Sequence, residues 1–180
     1  MRNFKALKKY RQNVGICLFN KKGKVWLGER PLSATDKKHG VEKYVWQLPQ
    51  GGVDAGEDAV GAAYRELEEE TGVTSARLLA MTPHWIAYDF PAGYNRGRNS
   101  KRWRGQRQKW AAMLFEGDED EIVLDAHEQI EFIAWDWVKI EKIPDLVVPF
   151  KRGIYRELVA AYSPLAKYIK DQHKAGKAKG

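Results

Sequence analysis

Glu66, Glu69 and Glu70 stand at spacings of three and four residues, so a helix carrying them gathers three carboxylates along one side. Like charges that close repel one another, and the C-terminal half of a helix disfavours anions further. A hard divalent cation turns this repulsion into attraction, because Mg²⁺ and Mn²⁺ take oxygen ligands and share their shell with water and substrate phosphates. Arg65 adjoins the group and can orient a carboxylate through a bidentate pair, while Glu57, in the preceding loop, can supply a further ligand. Such a set suits attack of water on a phosphorus of a 5′-polyphosphate. Divalent cations offset the phosphate charge that repels a nucleophile, carboxylates hold the cations, and arginine and lysine complete the clamp.

The elements that must position these groups are readable nearby. Gly51-Gly52 after Leu48-Pro49-Gln50 marks a turn, Asp58 can cap a helix over Ala59 to Thr71, and Gly72 stops it. Val60, Ala63 and Leu67 fall on one face of that helix, with the carboxylates expected opposite. Strand-like runs occur at Asn13 to Phe19, Val25 to Glu29, Tyr44 to Gln47, Leu78 to Thr82, Lys109 to Phe115 and Phe132 to Val138. A second helix is predicted over Pro149 to Tyr162, with Phe150, Ile154, Leu158 and Ala161 at helical spacing and Pro164 just past its end. Strands mixed with two helices predict an α/β protein with a mixed sheet covered on its faces. No internal repeat or second domain is evident. A single domain is expected over residues 1–168, followed by a basic, flexible tail over 169–180 whose lysines serve solubility.

Composition limits the alternatives. The chain of 180 residues can bury a sizeable core and carries a formal net charge of +7 despite its acidic helix. Cys17 is the sole cysteine and lies in an apolar run, so it reads as a buried small hydrophobe in a reducing compartment, with no disulfide or structural zinc implied. His39, His84, His127 and His173 lack ligand spacing. No window approaches membrane-spanning length and no secretory leader is evident, so the cytoplasm is the expected location and no membrane partner is expected. Trp135 and Trp137 alternate with Ala134 and Asp136 as core or half-buried strand aromatics do.

A second informative segment runs from Tyr94 to Trp110. It holds Arg96, Arg98, Lys101, Arg102, Arg104, Arg107 and Lys109 with Tyr94, Trp103 and Trp110 interleaved, and no acidic residue. Cations interleaved with aromatics suit phosphate chains and base stacking, and Arg98, Arg102 and Arg104 are the candidates to guide such a chain. The bland alternative is a solvated loop that is basic for solubility.

Gly51, Glu57, Arg65, Glu66, Leu67, Glu69, Glu70, Gly72 and Val73 together fit every position of the pattern G-x5-E-x7-R-E-U-x-E-E-x-G-U, with U aliphatic. Chance agreement at a given start is on the order of one in a hundred million. This is the Nudix box, and the chain resembles the Nudix hydrolases. Tyr10 to Gly15, Trp46 to Gly52, Trp85 to Pro91, Gly105 to Trp110 and Phe150 to Tyr155 further resemble the branch containing bacterial RNA 5′-pyrophosphohydrolases and diadenosine tetraphosphate hydrolases. The resemblance implies an α/β/α sandwich with a mixed sheet and dependence on Mg²⁺, or on Mn²⁺ in its place. The implied substrate is a nucleoside polyphosphate or an RNA 5′ end. Removal of pyrophosphate from 5′-triphosphorylated RNA is the leading activity, asymmetric cleavage of diadenosine tetraphosphate to ATP and AMP the alternative, and a non-catalytic nucleotide- or RNA-binding module the third reading.

Residue by residue, Glu66, Glu69 and Glu70 match the family's metal-binding glutamates and Glu57 a less central one, while Gly51, Arg65 and Gly72 match structural positions of the box. Glu131 matches a further family glutamate, a metal ligand or a base on the attacking water, with Glu128 three residues earlier left open. Arg11, Gln47, Tyr88 and Lys151 match positions that contact the 5′-phosphates or the base. Which of Glu131 and Glu69 activates the water, the number of metal ions and the oligomeric state stay open.

Overall fold

The computed structural model describes residues 9–92, 103–125 and 130–177. Its centre is β1 (Tyr10–Phe19), which pairs in parallel with β7 (Gly105–Phe115) from Tyr10↔Gly105 to Phe19↔Leu114. Side chains of a strand alternate between faces. Accordingly Val14, Ile16 and Leu18 of β1 join one buried cluster and Cys17 and Phe19 join the other, while β7 sends Ala111, Met113 and Phe115 to the first and Trp110 and Ala112 to the second. A sheet apolar on both faces needs cover on both. α2 (Ala59–Thr71) lies on the first face and α4 (Arg152–Lys177) on the second, which makes the α/β/α sandwich.

β2 (Val25–Glu29), β3 (Trp46–Gln47) and β5 (Ala76–Met81) extend the sheet in the order β3-β2-β1-β7-β5, with β8 (Ala134–Val138) antiparallel to β2. Two strands escaped the sequence reading. β4 (Gln50–Gly52) pairs with β1 through Asn13↔Gly52 and Gly15↔Gln50, so the glycine pair read as a turn is a short strand. β6 (Ile86–Asp89) pairs with the start of β7. Two short helices, α1 (Ala34–Lys38) and α3 (Ile143–Leu146), complete the frame.

α2 begins and ends where its sequence signals place it. Asp58 accepts from the N–H groups of Val60 and Gly61 at 2.9 and 2.7 Å, and Gly72 closes the helix with φ of 74°. α4 departs from expectation. Residues 149–151 form a 3₁₀ turn, and the helix then continues through Pro164 to Lys177 rather than ending at Tyr162. An internal proline costs about 3 kcal/mol. Burial of Tyr162, Ala166 and Ile169 against the sheet, with Tyr162 Oη donating to the Trp110 carbonyl at 2.8 Å, offsets it. Residues 169–177, expected as a flexible tail, are therefore helical. Cys17 is fully buried, and burial pushes its thiol well above its ordinary range. No helix among the described residues is long and apolar enough to cross a membrane.

Candidate active site

The N-terminal half of β1, the end of β2, β4 and one side of α2 surround a cavity of about 890 Å³. Its acidic wall contains Glu66, Glu69, Glu70 and Glu131, and its cationic wall Arg11, Arg30 and Lys151; Gln47, Tyr88 and Phe150 also line it. The pocket thus brings together Glu66, Glu69, Glu70, Glu131, Arg11, Gln47, Tyr88, Lys151 and Gly51 of the site residues expected from sequence. Glu57, Arg65, Gly72 and Arg104 lie outside its lining. Arg98, Arg102 and the alternative Glu128 fall outside the described residues.

The carboxylates of α2 do not sit opposite its apolar face as expected. Glu66 is buried alongside Ala62, Ala63 and Leu67, whereas Glu69 is exposed. The turn of the helix explains this, because Glu66 lies three residues from Ala63 and shares its side. Glu66 is admitted by Gly51, where an added Cβ would lie 1.7 Å from Glu66 Oε2. Glu70 reaches the same strand and accepts from the Gln50 N–H at 2.9 Å.

Arg65 holds this wall together. Its Nε and Nη2 donate to both oxygens of Glu57 at 3.0 and 2.9 Å, a bidentate pair, and Nη2 also donates to the Gly52 carbonyl at 2.8 Å. Nη1 bridges Glu66 and Glu69 at 2.8 and 3.1 Å. The guanidinium holds the Glu57 carboxyl below its usual range. Burial raises Glu66 against the pull of Arg65. Burial and then the charge of Glu131 raise Glu70 well above the ordinary value, and burial raises Glu131 itself.

Among the lining cations Lys151 is buried, its Nζ donates to Gln47 Oε1 at 3.1 Å, and it lies 5.7 Å from the centre of the Tyr88 ring. Burial, reinforced by Arg30, lowers its pKa to about 7. Tyr88 donates to Gln106 Oε1 at 2.6 Å and packs against Phe150 with ring centres 5.9 Å apart. Arg30 was missed by the sequence reading. It is 4% exposed, its Nε and Nη1 have no hydrogen-bond partner, and its nearest carboxylate, Asp36, is 4.0 Å away. The sequence signal is faint: a lone arginine directly after an apolar strand. Arg104 instead pairs with Asp89, Nη2 to Oδ2 at 2.7 Å, and is exposed.

Oxygen donors that repel one another, packed against a strand without histidine or cysteine, have the chemistry of a hard-cation site. Among the described residues no three acidic, histidine or cysteine side chains already converge as a ligand group. Arg65 Nη1 occupies one oxygen each of Glu66 and Glu69, so a cation would use the remaining oxygens or take the place of that nitrogen.

An α/β/α sandwich whose pocket sets carboxylates against buried cations defines an enzyme of the class that hydrolyses phosphoanhydrides. The family model described as "NUDIX domain" matches residues 9–158, and the chain belongs to the Nudix family. It is 50% identical over 159 residues to a protein of Caulobacter vibrioides named RNA pyrophosphohydrolase, covering 88% of each chain. It is 46% identical to a protein of Rhizobium meliloti with the same name, covering 88% of this chain and 96% of that one. Among solved structures, a C. elegans Ap4A hydrolase in a binary complex superposes with a TM-score of 0.58 at 18% identity, covering 86% of this chain and 98% of that one. The E. coli dihydroneopterin triphosphate pyrophosphohydrolase gives 0.57 at 17%, covering 84% and 98%. At those identities the structures share the fold alone. Nudix hydrolases generally use divalent cations.

Proposed function

We propose that this chain is an RNA 5′-pyrophosphohydrolase dependent on Mg²⁺, taking a triphosphorylated RNA end to a monophosphate and pyrophosphate with consumption of one water. The observation that carries the reading is that Glu66, Glu69, Glu70 and Glu131 line one cavity together with Arg11, Arg30 and Lys151. Relatives spanning most of this chain and of their own length that bear the name RNA pyrophosphohydrolase support the choice of substrate.

Glu66, Glu69 and Glu70 would hold the divalent cation, with Glu131 completing or flanking its shell. When bound, the cation offsets phosphate charge, lowers the pKa of water and stabilises departing pyrophosphate. Arg11, Arg30 and Lys151, which line the cavity, supply positive charge to the phosphate oxygens. Tyr88 and Phe150 offer aromatic faces to the first base. Glu131 orients the attacking water or takes its proton, a role suited to a carboxyl raised by burial; Glu69 is the alternative. Arg65 positions Glu66 and Glu69 from outside the pocket lining. Arg98, Arg102 and Arg104 guide the RNA strand. A cytoplasmic location accords with an RNA substrate and with the buried thiol of Cys17.

The test is a side-by-side turnover measurement with Mg²⁺ on triphosphorylated RNA and diadenosine tetraphosphate. The expected result is pyrophosphate release from RNA with kcat/KM at least about tenfold higher than for the dinucleotide. Efficient asymmetric cleavage of the dinucleotide with negligible RNA turnover would overturn the reading.

A further inference from the structure

α4 carries a basic flank that the pocket does not use. Arg152, Arg156, Lys167, Lys170 and Lys174 fall within an arc of about 60° at 3.6 residues per turn. All are exposed except Arg152, which is half-buried and lies 4.9 Å over the Tyr44 ring. A second element joins this flank. An added Cβ on Gly23 would lie 2.2 Å from the Ala166 carbonyl oxygen and 3.2 Å from Lys170 Cβ, so the turn between β1 and β2 packs directly on the helix.

That turn is well defined. Asn20 Oδ1 accepts from the N–H groups of Lys22 and Lys24 at 3.0 and 3.1 Å, and Lys21, Lys22 and Lys24 project into solvent. Among the described residues no ion pair engages Lys21, Lys22, Lys24, Lys170 or Lys174. Asp171, within the cluster, is paired with Lys167 at 2.8 Å, and the charges of Lys174 and Lys170 help hold its carboxyl below the usual range. Two elements far apart in sequence thus build one cationic surface.

The surface lies at the far end of the molecule from the pocket, and two lengths agree on the distance. From Arg11, in the pocket lining, to Phe19, beside the turn, β1 climbs about 26 Å at roughly 3.3 Å per residue. From Lys151, in the pocket lining, to Lys170 the helical rise of 1.5 Å per residue gives about 28 Å. The flank of α4 therefore leads from the pocket to the lysine cluster.

We propose that this flank docks the body of the RNA whose 5′ end occupies the pocket, an inference that rests on the RNA reading above. A single strand carries a phosphate at every nucleotide, and each lysine that neutralises one releases counterions. A span of about 26 Å takes about eight nucleotides at a stacked rise of roughly 3.4 Å. A dinucleotide cannot reach the cluster, whereas a transcript lies along it. The surface therefore favours long RNA over short polyphosphates without changing the chemical step.

The test compares the full-length wild type with the triple variant Lys22→Gln, Lys170→Gln, Lys174→Gln, using a triphosphorylated dinucleotide and a triphosphorylated RNA of about 30 nucleotides, well beyond the span of about eight. Equilibrium binding of the same long RNA with a monophosphate end is measured alongside at several salt concentrations. The variant should raise KM for the long RNA about fivefold or more and leave kcat unchanged, with the slope of log affinity against log salt falling by about 2, or roughly 0.7 per lysine. Turnover of the dinucleotide should not change. Lys→Arg at the three positions should restore wild-type binding, which separates lost charge from damaged folding. Unchanged KM and salt slope on long RNA, or equal losses on both substrates, overturn the inference while leaving the RNA activity standing. Failure of the wild type to act on either RNA removes the activity reading and this inference with it.

Discussion

On the acidic wall of the pocket, Glu66 and Glu69 share Arg65 Nη1 at 2.8 and 3.1 Å, whereas on the cationic wall Arg30 has Asp36 at 4.0 Å and Lys151 has Gln47 at 3.1 Å. The acidic wall is largely one helix tied by its own arginine. The cationic wall is assembled from β1, the end of β2 and the turn before α4, and Lys151 there feels the charges of Arg30, Glu131 and Glu70. The contrast separates two tasks. Carboxylates tied together by Arg65 suit a cation, while positive side chains lining the same cavity suit a polyanion.

If that division of labour is real, Glu69→Gln should have the largest effect. The substitution keeps size and helix propensity but removes an exposed charge from the acidic wall. Turnover at saturating Mg²⁺ should fall about 10²-fold or more, comparable with loss of one electrostatic stabiliser. Tm should change little, since Arg65 keeps Glu57 and Glu66. Near-normal turnover would erase the distinction between the walls.

Lys151→Met probes the other wall and should raise KM for triphosphorylated RNA about tenfold, with a smaller change in kcat. The same variant has a stability signature. The folded pKa is lowered from 10.5 to about 7, so between these values the unfolded chain binds a proton that the folded chain does not, and stability rises with pH. Below pH 7 burial of the charged amine is a full penalty. Lys151→Met should therefore raise Tm most at pH 6, with the gain shrinking as pH climbs towards 10; a gain that grows with pH would contradict the burial of an unneutralised amine.

The smallest effect on stability belongs to Arg104, which sits outside both walls in an exposed pair with Asp89. Arg104→Gln should leave the midpoint of urea unfolding nearly unchanged. A clear fall would show that the start of β7 depends on that pair.

The same contrast explains what could be read in advance. Most of the acidic wall was legible because Glu66, Glu69, Glu70, Arg65 and the glycines lie in one run from Gly51 to Val73, where helical spacing converts sequence directly into geometry, whereas Glu131 came only from the family resemblance. Even there, the period alone placed Glu66 on the solvent side, because its burial depends on β4 approaching through Gly51. Arg30 gave almost no local signal, since its meaning comes from neighbours distant in sequence. Lys151 was identified by resemblance and not by pattern. β4 was hidden by glycines that ordinarily mark turns. Pro164 misled for a related reason: a local breaker is overridden when the residues beyond it, Ala166 and Ile169, have a core to join. The sheet itself was visible wherever apolar runs were long, as in β1, β2 and β7.

The most direct test of the two-wall account is Mn²⁺ binding followed by electron paramagnetic resonance in the wild type, Glu70→Gln and Arg30→Gln, without substrate and then with a triphosphorylated dinucleotide. The account predicts that Glu70→Gln weakens Mn²⁺ binding about tenfold or more. Arg30→Gln should bind Mn²⁺ as the wild type does and fail to hold the dinucleotide. Mn²⁺ affinity unchanged in Glu70→Gln, or lost in Arg30→Gln, would contradict it.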